Sequence, residues 1–273
     1  MGQHFFDLRA THNPHRWFLP LTPALCVGPP GRGFMFGGVG MAAAITAMER
    51  TCRRPVIWAT AQYLSYARPS DVVDLDVRVA AEGRRTSQAR VTAHVGDTEI
   101  LTVNAALGGR DEPDARQWAQ APEAPPPDAC RESERWRADI EDLHSQIEVR
   151  VAHGAHSRAS DPGGPSADGR LVMWIRPRDG QLVDSPMLAI MADHVPSAIG
   201  TALGRNAGGN SLDNTIRFME RVPTTWVLCD TTIVGIHRGV AHGAMRLFSE
   251  DGRLMATASQ SMIVRLRDEG AGP

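Results

Sequence analysis

Apolar positions along the chain fall into two long helix-like blocks, each followed by a train of strand-length runs. The block from about Gly38 to Arg50 and the block 186–203 are apolar or small on nearly every face, the pattern of a helix enclosed on all sides. After the first block come strand-like runs at 56–66, 72–80 and 87–107, the last broken by a turn at Gly96-Asp97. After the second come runs near 211–219, 226–236, 239–248 and 253–267, with Asp251-Gly252 as the hairpin turn of the last pair. Further strands are expected around 16–27, 147–152 and 171–177. The strands alternate imperfectly, as they do where one sheet face packs on a helix.

The two trains resemble each other at an offset of about 150. YARPSD in the first faces FMERVPTTW in the second, and GDTEILTVNAALG faces EDGRLMATASQSMIV. The pattern predicts an α+β fold built from two copies of one unit, each a long apolar helix wrapped by an antiparallel sheet. Between them lies a stretch rich in Pro, Asp and Glu that lacks periodicity. The expected division is an N-terminal unit at 1–107, a linker at 108–135 and a C-terminal unit at 136–273. In the second helix Ser185 is the expected N-cap, Pro186 the first helical residue and Gly204 the C-terminal cap. Pro196 is expected to bend it.

Composition removes several classes of function. The formal charge of −2 gives no electrostatic reason to expect nucleic acid or an anionic membrane as partner. All 29 basic residues are arginine, which excludes a lysine Schiff base or a P-loop phosphate clamp. Cys26, Cys52, Cys130 and Cys229 form no metal-binding spacing and are read as free thiols in a reducing compartment. The start of the chain lacks the apolar core of a signal peptide and carries Phe6 where a myristoylation signal needs Ser or Thr. No apolar run reaches the roughly 18 residues of a membrane span. A cytoplasmic protein is the expectation. No GxSxG nucleophile elbow occurs, and His153 with His156 has no third ligand nearby, so no metal and no cofactor are expected.

Asp193 then stands out as a carboxylate inside an apolar helix. Its neighbour His194 points about 100° away around the helix and is expected to be packed or solvent-facing. The order of GFMFGGVGMAAAI, YARPSD and GRRTSQARVTAHVGDTEILTVNAALG in the first half, PEAPPPDAC in the connector, and LAIMADHVPSAIG, SLDNTIRF and GRLMATASQSMIVR in the second resembles the acyl-CoA thioesterase II-like group of double hotdog proteins. The likeness runs from about residue 16 to 267. It implies two fused hotdog units and hydrolysis of acyl-CoA thioesters. It also implies a catalytic group of Asp193, Ser211 and Gln260, with Ser211 where the group often has threonine. Two departures are visible. Asp213-Asn214 replaces the usual Asp-His, and Gly37-Gly38-Val39 replaces the usual Gly-Gly-Gln.

These residue types suit the reaction. A carboxylate orients water and accepts its proton. Burial raises an aspartate's pKa and makes it a better base. A hydroxyl and an amide hold the water while the carboxylate stays ionised. Gly37 and Gly38 would let the thioester approach backbone N–H groups at a helix N-terminus. Met187, Ile190, Met191 and Phe218 are expected to line an acyl tunnel between sheet and helix. At the internal offset, Ala42, Thr60 and Ala106 stand for Asp193, Ser211 and Gln260, so one active centre per chain is expected. The expected partner is acyl-CoA, and association into a homo-oligomer is allowed. Two alternatives stay open at this level: a non-catalytic acyl-thioester-binding protein, and an enoyl-thioester hydratase.

Overall fold

The computed structural model describes residues 5–29, 31–110, 112, 115–133, 140–155 and 165–266. The expected boundary at 135/136, the signal and lipidation sites at the chain start up to residue 4, and His156 lie outside them. Strand β1 (Arg16–Pro20) precedes helix α1 (Gly37–Cys52), and β2 (Val56–Tyr63), β3 (Val72–Glu82), β4 (Thr86–Val95) and β5 (Thr98–Gly108) follow it. The second half has β6 (Ile147–His153), β7 (Arg170–Pro177), helices α2 (Ser185–Ala192) and α3 (Ala198–Leu203), β8 (Ala207–Ser211), β9 (Asp213–Phe218), β10 (Val227–His237), β11 (Val240–Ser249) and β12 (Leu254–Leu266).

Apart from a two-stranded ribbon at Cys26–Val27 and Phe34–Met35, the described strands form one antiparallel sheet of fourteen strands. Its order through the labelled strands is β1-β3-β4-β5-β2-β9-β12-β11-β10-β7-β6, with β8 also paired to β12. The halves join where β2 pairs with β9, Asp213 opposite Gln62 and Arg217 opposite Trp58. Thr60 and Thr215 sit opposite each other at this seam, their hydroxyls 3.0 Å apart. The sheet curls around two helices that pack on one another. This is the double hotdog fold.

Helix α1 is buried from Gly38 to Met48 without a break, which explains its run of Gly, Ala and Met. At Gly40 an added Cβ would meet the Leu101 side chain at 2.5 Å and the Met35 methyl at 2.8 Å, so glycine lets helix and sheet approach without displacing either. The linker is more than a tether. Its 115–133 segment lies on the outer face of the second unit, where Trp174 donates its indole N–H to the Pro125 carbonyl at 2.9 Å. Cys130 packs there with Val172, Trp174, Trp226, Leu228, Phe248 and Leu254 in a second, smaller apolar cluster.

Three local expectations are corrected. The N-cap of α2 is Asp184, whose carboxylate accepts the Met187 N–H at 2.8 Å; Ser185 is the first helical residue. Aspartate and serine cap about equally well, so the sequence alone did not separate them. The single helix over 186–203 is interrupted: α2 ends at Ala192, a 3-10 turn covers Val195–Ser197, and α3 resumes at Ala198. The proline ring at 196 has no N–H to give and crowds the preceding turn, which is why the break falls just before it. The run 16–27 is β1 plus a 3-10 turn at Pro23–Leu25 and a two-residue strand.

Candidate active site

The interruption between α2 and α3 places Asp193 as the residue that caps α2, with a backbone no longer helical. Its side chain turns toward the start of α1. Asp193 Oδ2 accepts the Gly38 N–H at 2.7 Å, so the positive end of α1 faces the carboxylate. Asp193 Oδ1 accepts the Gln260 amide at 2.5 Å and the Ser211 hydroxyl at 3.4 Å. Gln260 Nε2 also donates to Ser211 Oγ at 2.6 Å. Ser211 ends β8 and Gln260 lies in β12, adjacent paired strands, with Ser211 opposite Met262. The structure therefore brings together Asp193, Ser211, Gln260, Gly37 and Gly38.

Asp193 and Gln260 are almost fully buried. Burial pushes the Asp193 carboxyl up to about 7, against the opposing effect of hydrogen bonds from Gln260, Gly38 and Ser211 and of the nearby Asn214. A carboxylate with such a value is a base matched to neutral pH. The two glycines are required by packing. A Cβ at Gly37 would fall 2.9 Å from Asp193 Oδ2 and from the Tyr63 ring, and one at Gly38 would fall 2.9 Å from the Ile190 Cα.

Met187, Ile190, Met191 and Phe218 are buried in the shared core. They line neither the cleft beside the start of α2 nor the one at the seam around Thr60, Leu212 and His242. Asp213 accepts the Ser261 N–H at 2.7 Å and braces β9 against β12. His194 is packed: its ring lies 5.3 Å from that of Phe36, and Nδ1 lies 3.2 Å from the Ile190 carbonyl. Two residues beside Asp193 carry no weight in the sequence reading as site residues, Tyr63 and Asn214. Tyr63 comes from the other half of the chain, and no local pattern marks it. Asn214 is visible in sequence only as a departure from Asp-His.

The first half has no matching group. Strand register pairs Val56 with Leu107 as it pairs Ser211 with Met262, so Val56, and not Thr60, takes the place of Ser211. Thr60 instead faces Thr215 across the seam. The same register puts Ala105 in the place of Gln260, and counting from the two helix starts puts Ile45 in the place of Asp193. The expected counterparts were misplaced because the offset is not constant: it lengthens between helix and sheet, where α2 and α3 are separated by an extra turn. The corresponding region is a cleft of about 470 Å³ beside the start of α2. There Glu49 accepts the Val56 N–H at 2.8 Å, and Arg221 donates to Ser185 Oγ and to the Val56 carbonyl.

Two hotdog units thus share one sheet around a buried carboxylate held by an amide, a hydroxyl and a helix N-terminus. Residues 119–264 match the acyl-CoA thioesterase C-terminal domain family, and residues 28–108 match the corresponding N-terminal domain family. The chain belongs to the acyl-CoA thioesterase family. Among solved structures it is similar to a Novosphingobium aromaticivorans protein classed as a thioesterase, with 37% identity, a TM-score of 0.84, and coverage of 96% of this chain and 98% of that one. It has the fold of acyl-CoA thioesterase II TesB2 from Mycobacterium marinum, at 22% identity and TM-score 0.72 over 96% and 97% of the chains. A hot dog fold protein from Alicyclobacillus acidocaldarius matches at 18% identity and TM-score 0.81, over 96% and 97%. No curated protein sequence matches the chain. No helix among the described residues is long and apolar enough to cross a membrane. Nor do the described residues hold a group of three His, Cys, Asp or Glu placed to bind a metal ion.

Proposed function

We propose that the chain hydrolyses an acyl-CoA thioester to free acid and CoA at Asp193. The observation that carries this reading is the buried Asp193 carboxylate with three converging donors, poised near pH 7. In its ionised form Asp193 accepts a proton from a water as that water attacks the thioester carbonyl carbon. Ser211 and Gln260 fix the carboxylate and the water. Desolvation raises the proton affinity of the base, and the hydrogen bonds keep enough of it ionised at neutral pH. Met187, Ile190, Met191 and Phe218 form the apolar wall toward the acyl chain, which reaches it when the packed core between α2 and the sheet opens. Gly37 and Gly38 allow the thioester to lie against the start of α1.

The same reading assigns catalysis to a C-terminal unit at 136–273, joined through the linker at 108–135 to an N-terminal unit at 1–107. It places the protein in the cytoplasm, in lipid metabolism, acting as a monomer or a homo-oligomer. The test is free-thiol release from short, long, branched and aromatic acyl-CoAs by the protein and by Asp193→Asn. Release that vanishes in the variant while acyl-CoA still binds supports the reading and names the substrate. Equal binding by both proteins with no release from any acyl-CoA replaces it with an acyl-binding role.

A further inference from the structure

Four buried polar atoms around Asp193 make no hydrogen bond of good geometry: the Tyr63 hydroxyl, both amide atoms of Asn214, and Gln260 Oε1. Leaving a buried polar group unpaired is costly, and native proteins contain few. Four in one small region call for a bound group that completes them. Their placement is defined by the seam between the two units. β2 brings Tyr63 and β9 brings Asn214, with Asn214 opposite Ala61 and the Tyr63 N–H donating to the Leu212 carbonyl at 3.0 Å. The Tyr63 ring edge and Asp193 Oδ2 are each 2.9 Å from where a Gly37 Cβ would be, so they are near neighbours. Asn214 is fully buried, and its carboxamide lies within loose hydrogen-bonding reach of both Asp193 and Tyr63, which favours the charged form of each.

The chemistry needs donors for a carbonyl oxygen that becomes an oxyanion, and such donors work best when fixed and unpaired in advance. The backbone N–H of Gly38 is not one of them in this arrangement, because Asp193 holds it. What is left is a phenol and a carboxamide. Burial, and then the charge of Asp193, push the Tyr63 hydroxyl well above its ordinary value, so it remains an O–H donor.

We infer that the Tyr63 hydroxyl and the Asn214 side-chain N–H hold the thioester carbonyl oxygen, so that the active site is assembled from both hotdog units. The inference rests on the hydrolase reading. Water adds through its oxygen to the carbonyl carbon and gives a proton to Asp193. The carbonyl π pair moves to oxygen, where Tyr63 and Asn214 stabilise it. The C=O then re-forms, the C–S bond breaks with its pair going to sulfur, and Asp193 returns the proton to the CoA thiolate. Gln260 Oε1 accepts the second hydrogen of the attacking water.

The experiment compares the whole protein with Tyr63→Phe, Asn214→Leu and Asp193→Asn, using an acyl-CoA that the unaltered protein hydrolyses. Tyr63→Phe is expected to lower kcat by roughly 10²-fold or more with KM within a few-fold, the signature of a lost oxyanion donor. The second readout is the infrared carbonyl band of the ¹³C-labelled thioester bound to Asp193→Asn. It should shift to lower frequency on binding and return toward its solution position in the Asp193→Asn/Tyr63→Phe double variant. This separates carbonyl contact from mere packing, and Tyr63→Phe keeps the ring if Asn214→Leu fails to fold. Unchanged kcat in Tyr63→Phe, or an unchanged carbonyl band, overturns the inference while thiol release by the unaltered protein keeps the hydrolase reading. An unaltered protein that releases no thiol overturns both.

Discussion

The carboxylate of Asp193 accepts the backbone N–H of Gly38 across the interface of the two helices, at 2.7 Å. The bond joins the end of α2 to the start of α1, so the site exists only while the two units are packed. Gly38→Ala tests that closeness. Its Cβ would fall 2.9 Å from both Asp193 Cβ and the Ile190 Cα, and a backbone atom cannot swing aside. The expected cost is about 1–3 kcal/mol of stability, as for overpacked cores, with a fall in activity. Urea midpoints and thiol release measure the two, and an unchanged midpoint would show that the helices separate freely.

Activity should fall as pH drops through about 7, because the ionised Asp193 is the base. Gln260 donates to Asp193 and lowers its pKa. Gln260→Leu should therefore move the acid limb of the kcat–pH profile to higher pH and lower the plateau. A limb that stays in place would mean that another group sets it.

Stability should respond to pH with a sign that identifies each carboxylate. Asp193 has a folded pKa of about 7 against an ordinary value of 3.8, so between these values the folded state holds a proton that the unfolded state releases. Its contribution is present below about 4 and is lost as pH rises toward 7, by on the order of 4 kcal/mol. Asp193→Asn should raise the urea midpoint more at pH 8 than at pH 5. Parallel midpoints at the two pH values would contradict a raised Asp193.

Glu148 has the opposite sign. Burial alone would raise it, but hydrogen bonds from Arg150 at 2.6 Å and Arg176 at 2.8 Å outweigh that and hold it below its ordinary value. It stabilises the fold above about 4.5 and ceases to as pH falls further. Glu148→Ala should cost about 2 kcal/mol at pH 7, below the usual range for a buried pair because both arginines reach solvent. The cost should shrink toward pH 3, a trend that denaturation at the two pH values would reveal.

The cleft around Glu49 tests how many centres one chain carries. Glu49 is raised mainly by burial but is bound to the Val56 N–H, with no hydroxyl or carboxamide in the places of Ser211 and Gln260. Glu49→Gln should leave thiol release at the level of the unaltered protein, while Asp193→Asn abolishes it. Loss of half the activity in Glu49→Gln would point to a second centre.

Much of the architecture was legible along the chain because it depends on local pattern. The apolar block around Met41–Met48 forms a helix, the Gly96 and Gly252 turns separate strands where expected, and Gly204 ends α3 with a φ of 60°. Asp193 was conspicuous because a carboxylate in an apolar run is costly unless it is used. Contacts between distant segments were not legible in this way. Which residue caps α2, where the helix breaks, and that Val56 rather than Thr60 matches Ser211 all depend on register and packing. Tyr63 and Asn214 face Asp193 only because β2 and β9 pair across the seam. Local sequence specifies backbone preference and which face is apolar; the meeting of side chains about 150 residues apart is decided by the burial of two helices within one curled sheet.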